Sequence, residues 1–285
     1  MGRVAQDLTV STDTLDIAAL AWGPEDGRPV LALHGWLDNA GSFTPLAEHL
    51  DPSIRLVALD LPGHGRSERA PKGSEYHFVN WVPVVFDVAD ALGWERFTLL
   101  GHSMGAGIST LAAGACPDRI ESVVFLEGLG PLTSDPKFAH RAMTRHLEAR
   151  RGVPQQSARV FANRDEAAEK LSGAVKGLTV EAARILVERG THEVEGGLGW
   201  SWDPRLRVPS AMRLSEAHVS SYLENIASPA LLVLAADGLS WDEATLLARR
   251  EKVEGMKVLE LEGGHHVHMD SPEIISAAIG EHLNL

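Results

Sequence analysis

Short apolar runs rich in leucine and β-branched residues alternate along this chain with stretches whose apolar residues recur every three or four positions. The runs predict strands over 8–10, 15–22, 30–33, 55–59, 97–100, 122–126, 230–234 and 257–261. The amphipathic stretches predict helices over 44–50, 78–92, 106–115, 241–252 and 272–283. Pro83 falls inside the second of these, which implies a kink or a later helix start. Such alternation predicts an α/β fold: a mostly parallel, twisted, eight-stranded sheet with helices on both faces. The runs at 15–22 and 30–33, joined by Gly23-Pro24-Glu25-Asp26-Gly27, predict an antiparallel hairpin at one edge.

Between 130 and 228 the rhythm changes. Strand-like runs give way to amphipathic stretches over 137–151, 156–171, 180–189 and 215–226, with Gly190 ending the third. The glycine- and tryptophan-rich stretch 196–202 interrupts them. A helical insertion after the sixth strand would lie over the carboxyl ends of the strands, where open α/β sheets bind ligands. The expected organisation is a core of 1–129 and 229–285 with a helical cap over 130–228.

Composition changes this picture little: 44% of the 285 residues are hydrophobic and 23% charged, as in an ordinary globular protein. The formal net charge of -13 disfavours nucleic acid or an anionic membrane surface as partner. No apolar run approaches the roughly 20 residues needed to cross a bilayer. The stretch MGRVAQDLTV has no basic-then-apolar leader pattern, and Gln6 stands where myristoylation needs Ser or Thr, so the expected location is cytoplasmic. The single cysteine, Cys116, excludes an internal disulfide and reads as core filling. A homodimer stays open.

Candidate chemistry begins at Gly101-His102-Ser103-Met104-Gly105, directly after the run Phe97-Thr98-Leu99-Leu100. A G-x-S-x-G pattern at a strand-to-helix turn lifts the serine hydroxyl clear of the sheet. The following helix offers unpaired backbone N–H groups to a developing anion. A serine needs a base to take its proton and a group to hold that base. Near the carboxyl end, Gly263-Gly264-His265-His266-Val267-His268 follows a strand and precedes the last helix. His265, His266 and His268 lack the helical i,i+4 spacing and the thiol or carboxylate company usual for zinc, so neither metal nor cofactor is expected.

Four ordered motifs make the chain resemble the α/β-hydrolase superfamily over nearly its whole length. They are His34-Gly35-Trp36, the run Asp60-Leu61-Pro62-Gly63-His64-Gly65-Arg66-Ser67, the GHSMG elbow and the histidine loop. The resemblance implies His265 as base, since it follows glycine and precedes Pro272 by seven residues; His266 is the alternative. It implies an oxyanion hole from the N–H groups of Met104 and Trp36, with Leu37 a less favoured donor. The indole of Trp36 would line the pocket, beside Asp38 and Met104 as substrate-binding residues. His34 and His64 are implied to brace loops. Most members place the acid after the next-to-last strand, where the count from Pro229 falls on Gly238, one past Asp237. A branch related to haloalkane dehalogenases places a glutamate after the strand that follows the nucleophile, and Glu127 matches that offset. Glu127 is therefore the preferred acid and Asp237 the alternative.

Dehalogenases and epoxide hydrolases of this superfamily use aspartate at the elbow, whereas serine suits attack on a carbonyl. The runs HGWLDN and FLEGLGP are similar to those of the serine hydrolase-like branch. The resemblance implies hydrolysis of a neutral or weakly charged carboxylic ester of modest size, with that ester and water as the molecules bound. Carbon–carbon bond hydrolysis or cofactor-free perhydrolysis would use the same three residues, and a non-catalytic binding protein on this scaffold is a further alternative. Phe138, Met143, Phe161, Trp200, Trp202 and Met212 are cap candidates for the pocket, and Arg141 or Arg145 for an anionic group.

Overall fold

A computed structural model describes residues 4–153 and 159–285. In chain order the first half contains β1 (Gln6–Ser11), β2 (Asp16–Trp22), β3 (Arg28–Leu33), α1 (Thr44–His49), β4 (Ile54–Leu59), α2 (Trp81–Ala91), β5 (Phe97–His102), α3 (Met104–Ala115) and β6 (Ile120–Leu126). The second half contains α4 (Ala139–Gly152), α5 (Arg164–Ala174), α6 (Val180–Gly190), β7 (Thr191–Val194), β8 (Gly197–Trp200) and α7 (Glu216–Glu224). It closes with β9 (Ala230–Asp237), α8 (Glu243–Arg250), β10 (Lys257–Gly264), α9 (Val267–Asp270) and α10 (Pro272–Leu283). Among the described residues no helix is long and apolar enough to cross a membrane.

The main sheet has eight strands in the order β1-β2-β4-β3-β5-β6-β9-β10, parallel except at the β1 and β2 edge. Central strands are apolar on successive positions because both of their faces are covered. One face packs Trp81, Val85, Ile108 and Ala112 of α2 and α3 against Leu31, Leu99 and Val123. The other packs Leu46 of α1 and Ile275 and Ile279 of α10 against Leu56, Leu100 and Val124. Pro83 lies in the first turn of α2, where a missing N–H costs no helical hydrogen bond, so the helix starts late rather than kinking.

The expected hairpin between 15–22 and 30–33 does not form. β4 lies between the two strands, pairing antiparallel with β2 and parallel with β3. The edge hairpin is instead made by β1 and β2, across a turn in which Thr12 Oγ1 and Leu15 bond to each other. β3 is buried along Val30–Leu33 and takes parallel neighbours on both sides, a place no edge strand has.

Strand-like structure does not vanish after β6 either. β7 and β8 form an antiparallel pair, and Gly196 with a φ of 86° turns the chain between them. The helix expected over 156–171 begins at Arg164, where the Asn163 side chain accepts from the Glu166 N–H; residues 156–158 of that expectation lie outside the described residues. Cys116 is the half-buried residue just past α3 rather than part of the core.

Helices α5 and α6 bury Phe161, Ala168, Ala183 and Leu186 in a core of their own. Their outer contacts go to loops at the carboxyl ends of strands. Asn39 Nδ2 donates to Leu186 O at 2.8 Å, and Arg189 reaches Asp60 at 2.8 Å. Helix α7 behaves differently: Val219 and Leu223 join the core beneath α3.

Candidate active site

The apolar strand β5 runs straight into α3, and the single residue between them, Ser103, holds φ 52° and ψ −109°. A non-glycine residue there costs about 1–3 kcal/mol and persists only where its surroundings impose it. They do. Ser103 N–H donates to Leu126 O at 2.9 Å, and Gly105 N–H donates to His34 O at 3.1 Å. A Cβ on Gly105 would lie 1.9 Å from Leu33 O, so only glycine lets α3 come this close to β3. Ser103 itself stays partly accessible.

His265 follows β10 and places Nε2 2.8 Å from Ser103 Oγ. Its Nδ1 lies 3.0 Å from Glu127 Oε2. A carboxylate only accepts, so Nδ1 carries the proton and Nε2 offers its lone pair to the serine hydroxyl. Glu127 directly follows β6, has a φ of 53° and is buried. Two further donors hold its carboxylate: Ala235 N–H on Oε1 at 2.6 Å and Leu239 N–H on Oε2 at 2.7 Å. A buried carboxylate with three donors is well satisfied. Asp237, the alternative acid, is an exposed residue at the end of β9.

The two expected oxyanion donors lie on adjoining segments. Met104 N–H opens α3, where no carbonyl one turn earlier is available to it. Trp36 sits in the loop that Gly105 N–H binds through His34, next to Leu37 in a left-handed conformation at φ 65°. The Trp36 ring is half exposed and its Nε1–H donates to Leu206 O at 3.2 Å, so the indole also ties this loop to the segment between β8 and α7.

The carboxylate of Asp38, an expected substrate-binding residue, faces two histidines, His266 Nε2 at 3.1 Å and His102 Nδ1 at 3.6 Å. Burial alone would raise Asp38, but the facing His266 holds it well below the usual carboxylate range. Burial works against charge on His266 too, and Asp38 outweighs it, lifting His266 above its ordinary value. His266 is thereby engaged away from the serine. His34 and His64 are buried, and burial pushes His64 down to about 3. His34 Nε2 accepts from Leu61 N–H at 3.0 Å and its Nδ1 donates to Gly35 O at 2.7 Å.

Sequence reasoning assigned no role to His102, and weighed His268 only as a metal ligand. His102 Nε2 donates to the His265 carbonyl at 2.9 Å, and burial lowers His102 to about 4. His268 Nε2 bonds the Ser42 hydroxyl at 2.7 Å, and its ring centroid lies 4.3 Å from that of His102. The signal was the density of histidines in one loop together with the histidine inside the elbow motif. Of the expected pocket residues, Phe161 is buried against Trp200 inside the insertion, whereas Phe138, Met143 and Met212 are exposed. Two cavities flank α4, of about 200 Å³ beside Glu75, His146 and Arg205, and of about 340 Å³ beside Phe138, Arg141 and Arg213. Ser103 lines neither.

Comparison with known proteins bears on this geometry. The family model of the alpha/beta hydrolase fold matches residues 28–192. A serine hydrolase-like protein of Danio rerio is 32% identical over 99% of this chain and 90% of its own length. The crystal structure of a hypothetical protein of Pseudomonas aeruginosa superposes with a TM-score of 0.91 at 39% identity, covering 98% of each chain. The thioesterase domain from the curacin biosynthetic pathway does so at 0.84 and 26% identity, covering 97% of this chain and 99% of that one.

Proposed function

The chain belongs to the α/β-hydrolase fold family, in its serine hydrolase-like branch, and on that premise we propose that it hydrolyses a carboxylic ester of modest size through an acyl-enzyme. One observation carries this reading: a serine, an imidazole and a carboxylate from three distant loops stand in line, with links of 2.8 and 3.0 Å. Ser103 Oγ attacks the acyl carbon while His265 Nε2 takes its proton. As the tetrahedral adduct collapses, the bond to the alcohol oxygen breaks and His265 returns the proton to it. Water repeats the sequence on the acyl-enzyme, releasing the acid and restoring Ser103. Glu127 keeps His265 in the productive tautomer and stabilises the imidazolium. Met104 N–H and Trp36 N–H receive the oxyanion.

In this reading residues 130–228 form the cap that bounds the acyl pocket above Trp36 and Met104. The ties from α6 to Asn39 and Asp60 support it. Asp38 then acts behind the pocket wall, through the histidines. The thioesterase likeness supports including short acyl thioesters among the substrates tested.

A fluorophosphonate probe should label Ser103 in the folded protein, and p-nitrophenyl acetate or butyrate should be turned over. Ser103→Ala should abolish both signals without changing the melting temperature by more than a few degrees. A folded wild-type protein that resists the probe and leaves every short ester and thioester intact would overturn the reading.

A further inference from the structure

Behind the catalytic histidine, the side chains of Asp38 and His266 from two loops and of His102 from the end of β5 converge, with ligand atoms all within 4.8 Å of one another. Asp38 Oδ2 stands 3.1 Å from His266 Nε2 and 3.6 Å from His102 Nδ1. The tautomer of His102 is set by its other nitrogen. Nε2 faces the His265 carbonyl, which only accepts, so the hydrogen is there and Nδ1 is left with its lone pair. That lone pair points at a carboxylate oxygen inside the protein, and His102 Nδ1 has no hydrogen-bond partner among the described residues. Two lone pairs facing each other in a buried site call for a cation between them.

The space for one is visible in Gly35. A Cβ there would lie 2.9 Å from both Asp38 Oδ2 and His102 Nδ1, so the missing side chain leaves the notch into which both atoms point. The two separations from Asp38 suit a small ion, and the two imidazole nitrogens, within 4.8 Å of each other, close up when it binds. Ligands at about 2.1 Å around tetrahedral zinc stand roughly 3.4 Å apart, between the two separations observed. His102 already has the arrangement usual for a metal-bound imidazole, with one nitrogen free and the other donating to a backbone carbonyl. Asp38, the least buried of the three, leaves the site open on its side.

We propose that Asp38, His102 and His266 form a binding site for a borderline divalent transition metal such as zinc, with solvent completing the coordination. Two imidazoles and a carboxylate select zinc, cobalt or nickel over calcium and magnesium. Binding requires the lone pair of His266 Nε2, so the proton now shared with Asp38 moves to Nδ1 or leaves to solvent. His102 and His266 each directly precede or follow a member of the proposed catalytic set, Ser103 and His265. Occupancy therefore draws both neighbours toward the ion and inhibits hydrolysis, a consequence that rests on the proposed function, whereas metal binding itself does not.

The test is a titration of chelator-treated, full-length protein with Co²⁺, read by visible absorption and calorimetry. A single equivalent should produce the intense bands of a low-coordinate cobalt site, displaced by Zn²⁺ and insensitive to Mg²⁺. Asp38→Asn and His266→Gln should each weaken binding at least about tenfold, by losing one ligand of three. His192→Ala, an exposed histidine elsewhere, should leave it unchanged. Should either ligand variant fail to fold, paramagnetic shifts of the His102 and His266 ring protons in the wild-type cobalt complex carry the same information. Absence of a one-to-one complex at millimolar metal would overturn the proposal, as would binding that survives both ligand substitutions. In either case the probe and ester assays of Ser103 stand independently.

Discussion

A methyl group added to Gly238 would lie 2.0 Å from Glu127 Oε2 and 2.4 Å from its carboxyl carbon. The glutamate thus occupies the volume beside the position where most members of this fold carry their acid, and glycine there is what admits it. Under the proposed function, Gly238→Ala should therefore displace the carboxylate and cut turnover of short esters by about 100-fold or more, because His265 loses its orienting partner. Glu127→Gln keeps the shape but turns its amide N–H on either the Ala235 donor or the donors of Leu239 and His265, and should cost about 10³- to 10⁴-fold in kcat with little change in KM. The informative experiment is the exchange Glu127→Gly with Gly238→Asp. If the site needs only a carboxylate near His265 Nδ1, the double variant should be more active than Glu127→Gly alone; equal activity would show that β6 is the sole workable origin for the acid. Residue identities made this much of the site legible in advance, since Ser103, His265 and Glu127 stand at fixed offsets within local motifs. The Asp38, His102 and His266 cluster was not legible, because its members are 64 and 164 residues apart in succession and no local pattern links them.

At the scale of elements, a buried arginine joins Asn39 in fixing α6 to the core. Arg189 donates through Nε to Asp60 Oδ2 at 2.8 Å and through Nη1 to Asp7 Oδ1 at 2.6 Å. Asp60 also accepts from the N–H groups of Ala40 and Arg66, both at 2.8 Å, so it organises the loop after β3 as well as the loop after β4. Removing one partner of a buried pair leaves the other uncompensated, and Arg189→Ala should destabilise the protein by about 3–5 kcal/mol in urea unfolding. Adding Asp60→Asn should recover part of that loss, and additive costs would mean that the pair is not coupled. Apolar periodicity foretold most of the elements this pair connects. What it lacked was partner choice: the run at 15–22 looks the same whether it pairs with β3 or with β1 and β4. The hairpin of β7 and β8 was hidden for a related reason. Its strands are four residues long, β7 mostly polar and β8 half glycine, so they carry little apolar alternation, and pairing rather than propensity defines them.

For the whole molecule, the unusual quantity is the number of buried histidines at the carboxyl ends of the strands. Burial holds His34, His64, His102 and His268 below their ordinary value, with His64 at about 3 and His102 at about 4. In the unfolded chain each takes up a proton near pH 6.5. Between that pH and the folded values the unfolded state binds more protons, so stability falls as the solution is acidified, by about 1.4 kcal/mol per pH unit for each such group. His266 has the opposite sign: Asp38 raises it, so its contribution is complete below pH 6.5 and disappears as pH climbs through its folded value. Opposing the acid loss is the formal charge of -13, since protonating surface carboxylates relieves repulsion. That relief is screened over about 8 Å at physiological salt, whereas the histidines are buried beyond the reach of screening. The histidines should therefore win, and the melting temperature in 0.15 M salt should drop steadily from pH 6.5 to pH 4.5. His64→Gln should flatten that slope by close to one proton. A melting temperature that rises over the same interval would mean that surface repulsion, and not the buried imidazoles, governs how this fold responds to acid.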